Sequence, residues 1–257
     1  MTTGPVRAGY GGFVHSISRA LPFSTLFNFR DVGGYAGLEG RTVRWRRLYR
    51  SDSLHRLADT DREAFVELGV RTVVDLRRPR EIDRYGRIPT YDGLSYRHIH
   101  LEHQDWDEVP YHERTDVARW LAERYLDFSE TGWAGIARAI ETIAAADSAP
   151  LVVHCAAGKD RTGVVCALTL TLLGVDDRDI AEDYALSNAA SQRFTEWLRR
   201  ERPDVPPLPT RYLVSPPEAI RIFLDALRAR HGSVERYLLD AGLTNDHFAA
   251  LRDHLLA

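Results

Sequence analysis

Cysteine, methionine and lysine are scarce in this sequence. Its 257 residues include two cysteines, one methionine and a single lysine, because every other member of the 34 basic residues is arginine. Two cysteines cannot form a disulfide framework, and they suit a reducing compartment. The 34 basic and 37 acidic residues nearly cancel, to a net charge of −3. This balance argues against a nucleic-acid partner and against a polybasic membrane anchor.

Long hydrophobic runs are also missing. Residues 1–12 contain no apolar run of the signal-peptide type, and no stretch approaches the ~20 apolar residues that a membrane helix needs. We therefore expect a cytoplasmic chain without integral membrane contact. Secretion without a cleaved signal is also compatible with this sequence.

The patterning of apolar residues predicts an α/β fold. Hydrophobic residues make up 44% of the chain, which is enough for one substantial core. Strand-like and helix-like patterns alternate through the first two thirds, and the last third is mainly helical. Residues 199–215 are rich in proline and form the best linker candidate. The helices after them are too short to bury their own core, so we predict a single domain, residues 1–257.

Periodicity and capping signals give the expected elements. The predicted strands are 42–49, 70–76, 94–101 and 151–154, and the predicted helices are 60–69, 79–86, 115–129, 131–146 and 161–173. Ser215, Ser233 and Thr244 are predicted N-caps of three later helices.

One segment carries the informative chemistry. Residues 152–163 read VVHCAAGKDRTG, and the single lysine, Lys159, lies inside it. The apolar residues before Cys155 predict a buried strand, and the apolar run after Arg161 predicts a helix. Cys155 and Arg161 are therefore expected at the two ends of a short loop that leads from a strand into a helix N-terminus.

This arrangement suits a nucleophilic Cys155. A thiol attacks as the thiolate, and the partial positive charge and free N–H groups of a helix N-terminus favour that form. A loop that curls over the helix end also aims its N–H groups at one point, which makes a nest for a phosphate dianion. Ala156, Ala157, Gly158 and Lys159 are therefore predicted to bind the phosphate of a substrate.

The neighbouring residues fit the same chemistry. Gly158 permits backbone angles that a side chain resists. The guanidinium of Arg161 can hold two phosphate oxygens and stabilise their charge in the transition state. Thr162 is a candidate hydrogen-bond donor to the sulfur, and His154 is expected to support the loop. Cys166 has apolar neighbours on the helix and is expected to pack in the core.

Other interpretations fit this segment less well. A nucleotide-binding loop requires glycine at 153 and serine or threonine at 160, where the chain has Val153 and Asp160. A sulfurtransferase also presents a cysteine before a helix, but it does not need Arg161. A structural thiol would be the default for an isolated cysteine, which Cys155 is not. A catalytically idle phosphopeptide-binding module would keep the loop and Arg161 without needing Cys155.

The run from 154 to 163 resembles the signature of a family of bacterial tyrosine phosphatases, His-Cys-x-x-Gly-Lys-Asp-Arg-Thr-Gly, at every fixed position. Residues 28–34 (NFRDVGG) are similar to the N-terminal segment of that family. Residues 74–77 (VDLR) with Glu81 are similar to its Asp-Leu-Arg segment, and residues 232–242 to its C-terminal end. The resemblance extends over nearly the whole chain.

The resemblance implies a fold, a reaction and a partner. The fold is that of the cysteine-dependent phosphatases, a short and mostly parallel central sheet flanked by helices. The reaction is hydrolysis of phosphotyrosine in protein substrates through a phosphocysteine on Cys155, without a metal or any other cofactor. Some members also accept phosphoserine, phosphothreonine or phosphoinositides, so a dual-specificity or phosphoinositide phosphatase stays open. A helical lid is implied at about residues 188–212, where the prolines suit a hinged cover.

The general acid is open between several carboxyl groups. A proton donor assists the departure of an aryl oxide, and aspartate is a common donor. We favour Asp160, which lies in the loop and belongs to the signature. Asp75 is the second choice, because it ends a strand whose tip is expected at the same crevice. Asp105 and Asp107 follow the predicted strand 94–101 and are otherwise interpreted as loop charge.

Lys159 leads to the phosphoinositide alternative. Its ammonium lies next to the predicted nest and can reach a second phosphate, as on an inositol ring. The competing interpretation is a side chain in solvent, where a lone cation contributes little.

Overall fold

The coordinates form a computed structural model that describes residues 18–112 and 114–257. Residues 1–12, where no signal-type run was expected, lie outside this part of the chain. In the described part, the strands are β1 (Arg30–Asp31), β2 (Leu48–Ser51), β3 (Thr72–Asp75), β4 (Ser95–His98) and β5 (Leu151–His154). The helices are α1 (Arg62–Glu67), α2 (Pro79–Tyr85), α3 (Val117–Thr131), α4 (Trp133–Ala144), α5 (Asp160–Leu172), α6 (Asp177–Ala185), α7 (Ser187–Glu201), α8 (Thr210–Leu213), α9 (Pro217–His231), α10 (Val234–Asp240) and α11 (Asn245–Leu255).

The strands form one sheet in the order β1-β2-β5-β3-β4. The pairs β2–β5, β5–β3 and β3–β4 are parallel, and β1 runs antiparallel to β2. This is the short, mostly parallel sheet flanked by helices that was predicted. Because β2, β3 and β5 are neighbours and run the same way, their carboxyl ends meet at one edge of the sheet.

The two faces of the sheet are covered by separate hydrophobic clusters. Leu151 and Val153 of β5 face the larger cluster, whereas Val152 between them faces the smaller one. This alternation follows from the two-residue period of a strand. Both faces of β5 are buried, which explains why it is an uninterrupted apolar run.

The C-terminal helices contribute to the larger cluster. Phe223 of α9, Leu238 of α10 and Leu251 of α11 lie in the same cluster as the helix α5 that follows the central strand. Their apolar faces are therefore buried in the same cluster as α5. The single domain stays a prediction.

Several predicted boundaries differ from the structure. The predicted strand 42–49 is not continuous, because Thr42 and Val43 form only isolated bridges, residues 44–47 form no strand, and β2 begins at Leu48. A turn at Trp45 and Arg46 interrupts the pattern, and the Arg46 N–H donates to Asp31 at 2.7 Å. The predicted strand 94–101 shortens to β4. Ser215 does not cap α9, because Pro216 occupies that place. Ser233 and Thr244 do cap α10 and α11.

The described helices were also compared with the length and apolarity that a bilayer crossing demands. Among residues 18–112 and 114–257, no helix meets both requirements.

Candidate active site

A cleft of about 740 Å³ opens at the carboxyl edge of the sheet. Cys155 follows β5 directly and lines the cleft, although only 1% of its surface is exposed. The sulfur-bearing residue therefore sits at the inner end of the cleft. Asp160 and Arg161, at the start of α5, line the same space. We call residues 155–161 the phosphate loop.

The phosphate loop leaves its backbone donors free. Within the described part of the chain, the N–H groups of residues 156–159 donate no hydrogen bond. The carbonyl groups of residues 156–158 accept hydrogen bonds from neighbouring segments instead. Because α5 begins at Asp160, the positive end of its dipole adds to these free donors. The loop has the polarity of an anion-binding nest.

Gly158 is required by the path of the loop. Its φ is +64°, a region that side chains disfavour. A β-carbon at this position would lie 2.3 Å from the carbonyl oxygen of Ser51 and 2.6 Å from the N–H nitrogen of Asp52. The loop thus packs directly on the chain that leaves β2, and only glycine fits there.

Arg161 is held by an acidic partner. Its guanidinium donates to both carboxylate oxygens of Glu81, at 2.6 and 3.1 Å. Burial alone would raise the pKa of Glu81, but the hydrogen bonds and charge of Arg161 outweigh it and lower that pKa. Burial also opposes the charge on Arg161, yet the Cys155 sulfur and Glu81 outweigh it and raise the pKa of the guanidinium. Glu81 therefore fixes the direction of Arg161.

The role of Glu81 was missed by sequence reasoning, which noted the residue only as part of the family resemblance. Glu81 stands third in α2, behind Pro79, and also accepts from the Arg78 N–H at 2.7 Å. The sequence signal was the helix start itself, because an acidic residue there is expected to point back towards the helix N-terminus.

Asp160 faces the cleft with one oxygen. Its Oδ1 accepts from the Lys159 ammonium at 2.6 Å and from the Tyr125 hydroxyl at 2.7 Å. Within the described residues no donor reaches Oδ2, and 16% of the side chain is exposed. The Tyr125 hydroxyl also lies 2.5 Å from that of Tyr184. Two donors therefore fix the carboxyl group while leaving one oxygen open to the cleft.

Lys159 does not point to solvent or towards the rim. Its side chain is buried, and the ammonium pairs with Asp160 at 2.6 Å. Burial opposes this charge, but Asp160 and Tyr184 outweigh it and raise the pKa of Lys159. The single lysine is thus an internal partner of Asp160, and its backbone N–H is the part that faces the nest.

Asp75 lies behind the phosphate loop, fully buried at the end of β3. Its carboxylate accepts from Arg77 at 2.7 and 2.9 Å and from the Tyr96 hydroxyl at 2.8 Å. Burial would raise the pKa of Asp75, but His154 and Arg77 outweigh it and hold the pKa well below its usual range. Asp75 is therefore an ionised partner of His154 and Arg77, away from the cleft lining.

Asp105 and Asp107 lie at the rim of the cleft. Asp105 pairs with Arg80 and with Arg78, and the hydrogen bond from Arg80 is the main reason that its pKa falls to about 2. Asp107 accepts from the Tyr212 hydroxyl at 2.5 Å. Both carboxylates are therefore occupied by structural partners.

Thr162 and Cys166 lie inside α5. Thr162 is fully buried, and its hydroxyl has no hydrogen-bond partner among residues 18–112 and 114–257. It is thus available to the sulfur on the preceding loop. Cys166 is buried in the larger cluster, as expected, and burial raises the pKa of its thiol to about 11.

The sides of the cleft combine aromatic and basic groups. The larger apolar residues of the lining include Phe27, Trp106, Phe128, Phe194, Trp197, Leu198, Leu208 and Tyr212. Its arginines, apart from Arg161, are Arg56, Arg77, Arg78, Arg80, Arg84 and Arg202. A narrow anion nest at the inner end and aromatic walls above it match a phosphate carried on a flat apolar group.

Comparison with known sequences identifies the family. The sequence model of the tyrosine phosphatase family matches residues 21–257. This chain belongs to that family. Membership confirms the predicted phosphatase and its cysteine-phosphatase fold.

Individual relatives cover most of the chain. The triple specificity protein phosphatase PtpB of Mycobacterium tuberculosis is 31% identical over 274 residues, which cover 90% of this chain and 96% of the relative. A relative from Cupriavidus necator is 33% identical over 255 residues, covering 92% of this chain and 88% of its own. A tyrosine-protein phosphatase of Nostoc commune is 28% identical over 221 residues, covering 80% of this chain and 73% of the relative.

Proposed function

We propose that this tyrosine phosphatase hydrolyses phosphotyrosine in proteins through a phosphocysteine on Cys155. The observation that carries the proposal is the position of Cys155. It lies at the inner end of the cleft, followed by four backbone N–H groups that have no partner among residues 18–112 and 114–257, with Arg161 held beside them by Glu81.

In the first step the Cys155 sulfur attacks the phosphorus and the bond to the tyrosyl oxygen breaks. The loop N–H groups and the Arg161 guanidinium stabilise the charge on the three non-bridging oxygens. Asp160 donates its proton to the departing oxygen, because it lines the cleft and its Oδ2 accepts no hydrogen bond from the described residues. Asp75 is not the general acid in this mechanism, and its role is to hold Arg77 and His154 in place.

In the second step a water attacks the phosphorus of the phosphocysteine. Asp160, now ionised, accepts a proton from that water, and the sulfur–phosphorus bond breaks. Inorganic phosphate leaves, and the sulfur returns as thiolate. The buried Thr162 hydroxyl is assigned to donating a hydrogen bond to this thiolate.

The shape of the cleft favours an aryl phosphate. Phe27, Phe194 and Trp197 form one aromatic group, with ring centroids 5.6 Å apart for both contacts of Phe27. Such walls gain more from a tyrosine ring than from the short side chain of serine. The buried ammonium of Lys159 gives no support to a second phosphate contact, so phosphotyrosine is preferred over a phosphoinositide.

This function is tested by parallel assays on phosphotyrosine, phosphoserine and phosphothreonine peptides and on a phosphoinositide, each with and without EDTA. We expect the highest kcat/KM on the phosphotyrosine peptide, with no change in EDTA. A requirement for a divalent metal would overturn the mechanism. Binding of phosphotyrosine without turnover would identify a binding module instead.

We further propose that residues 188–212 form the lid of this site. Helix α7 buries only Ser187 and Ala190, and its aromatic contacts to the domain are those of the half-buried Phe194 and Trp197 with Phe27. At the far end, the Tyr212 hydroxyl donates to Asp107, and the Tyr212 ring stacks on Trp106 with an interplanar angle of 10°. The segment therefore spans the cleft from a weakly packed helix to the hydrogen bond between Tyr212 and Asp107, which we call the latch hydrogen bond.

The lid leads to a prediction for amide exchange. We expect the amides of Arg202, Asp204, Val205 and Leu208 to exchange at least about 100-fold faster than those of β5, because these residues have few buried contacts. A Tyr212→Phe variant removes the latch hydrogen bond, about 1 kcal/mol, and is expected to increase exchange about fivefold further. Mass spectrometry of deuterated peptides measures both. Protection equal to that of β5 would remove the lid from the proposal.

A further inference from the structure

Two arginines are buried behind the phosphate loop. Arg30 and Arg50 are 3% and 1% exposed, and both pair with the single carboxylate of Asp183. One carboxylate balances one of the two guanidinium groups, so the cluster retains a positive charge. Burial opposes the charge on Arg50, but Asp183 outweighs it and raises the pKa of Arg50. Buried charges without a partner are costly, so this excess calls for an explanation.

Arg50 reaches the phosphate loop with its second branch. One terminal nitrogen donates to Asp183 at 2.5 Å, and the other donates to the carbonyl oxygen of Gly158 at 2.8 Å. The planar guanidinium presents these two donors in fixed directions. Arg50 therefore ties the loop to a residue of α6.

Asn28 holds the same side of the loop. Its side-chain nitrogen donates to the carbonyl oxygens of Ala157 and Gly158 at 2.9 and 3.1 Å, and to the Ser187 hydroxyl at 3.2 Å. Its side-chain oxygen accepts from Arg30. Since that oxygen is occupied by a guanidinium, the amide has one orientation, with its NH₂ towards the loop.

Holding a carbonyl outward aims the next N–H inward. A trans peptide is planar, and its C=O and N–H point in opposite directions. The bonds on the Ala157 and Gly158 carbonyls therefore set the directions of the Gly158 and Lys159 N–H groups. These are two of the four donors that the phosphate would meet.

We propose that Arg50 and Asn28 are positioning residues that aim the amides of the phosphate loop at the substrate phosphate. This inference rests on the proposed function for its reaction, but the loop's affinity for a phosphate anion tests it independently. Neither side chain needs to touch the reacting atoms. Their effect passes through peptide planes that they hold.

The test compares Arg50→Met with the wild type, using inorganic phosphate as a competitive inhibitor of para-nitrophenyl phosphate hydrolysis. We expect the inhibition constant to rise about 10- to 100-fold and kcat/KM to fall in parallel, as for the loss of a charge-assisted hydrogen bond. An Arg50→Lys variant keeps the charge and is expected to recover part of the affinity. A purely structural role would lower the amount of active enzyme without moving the inhibition constant.

Tyr35→Phe is the matched control. It removes a hydroxyl that donates to Asp183 at 3.3 Å without touching the loop, so the inhibition constant should not change. Asn28→Ala leaves the Arg50–Asp183 pair intact and provides a second variant if Arg50→Met does not fold. An unchanged inhibition constant in either folded variant overturns the inference. Failure of the wild type to cleave phosphotyrosine, with phosphate still bound, would instead overturn the proposed function alone.

Discussion

A Cys155→Ser variant is expected to hydrolyse a phosphotyrosine peptide at least about 10⁴-fold more slowly than the wild type. The proposed mechanism requires the Cys155 sulfur as its nucleophile, and this substitution removes it. A hydroxyl ionises far less readily than a thiol, so the helix end and Arg161 that favour a thiolate cannot produce an alkoxide. Serine is close to cysteine in size, and the loop amides are unchanged. The variant should therefore still bind inorganic phosphate, with a dissociation constant by direct titration close to that of the wild type.

The second cysteine supplies the control for this experiment. Cys166 lies in the core, and burial raises the pKa of its thiol to about 11, so it remains a neutral thiol at assay pH. Cys166→Ala is therefore expected to keep the wild-type kcat. Steady-state assays together with mass spectrometry of acid-quenched enzyme separate the outcomes. Substantial turnover by Cys155→Ser, or a phosphoryl group trapped away from residue 155, would contradict the mechanism.

The part of the site that lies within one short segment was predictable from the sequence. The predicted strand 151–154 matches β5, and the loop from Cys155 to Arg161 leads into α5 as expected. Both depend on local signals, an apolar run and a helix start, which neighbouring residues determine. The same holds for Ser233 and Thr244, whose capping is a contact within one turn.

The partners of that segment were not predictable, because they are distant in the chain. Glu81 is 80 residues from Arg161, and Asn28 is 130 residues from Gly158. No periodicity links such positions, since the sheet order alone brings them together. The boundary error at 42–47 has a similar origin. Asp31, on the adjacent strand, holds the turn at Arg46 that local alternation does not reveal.

The sequence pattern also could not show which way a side chain turns. Lys159 lies beside the nest, and a contact with a second phosphate was the natural hypothesis. In the structure the side chain is buried and its ammonium pairs with Asp160 at 2.6 Å, a direction that the sequence does not indicate. Asp75 similarly reaches the correct edge of the sheet, but Arg77 and Tyr96 enclose it.

An Asp160→Asn variant is expected to lose the alkaline limb of the pH profile of kcat/KM. A general acid must be protonated, so activity falls as pH rises through its titration, and an amide has no proton to lose there. For a phosphotyrosine peptide we expect kcat to fall about 10²- to 10³-fold. For para-nitrophenyl phosphate the loss should be smaller, because its leaving group is stable without a proton. Profiles of both substrates between pH 5 and 8 measure the effect.

The two histidines that line the cleft, His55 and His103, do not contribute to this pH profile. Burial, with the charges of nearby arginines, lowers the pKa of His55 and of His103 to about 4, so neither imidazole titrates between pH 5 and 8. Asp75→Asn is the matched variant. It should keep the alkaline limb, because the pKa of Asp75 in the wild type lies far below its usual range. If Asp75→Asn flattened the profile and Asp160→Asn did not, the proton would come from the end of β3, and Asp160 would serve to hold Lys159 and Tyr125.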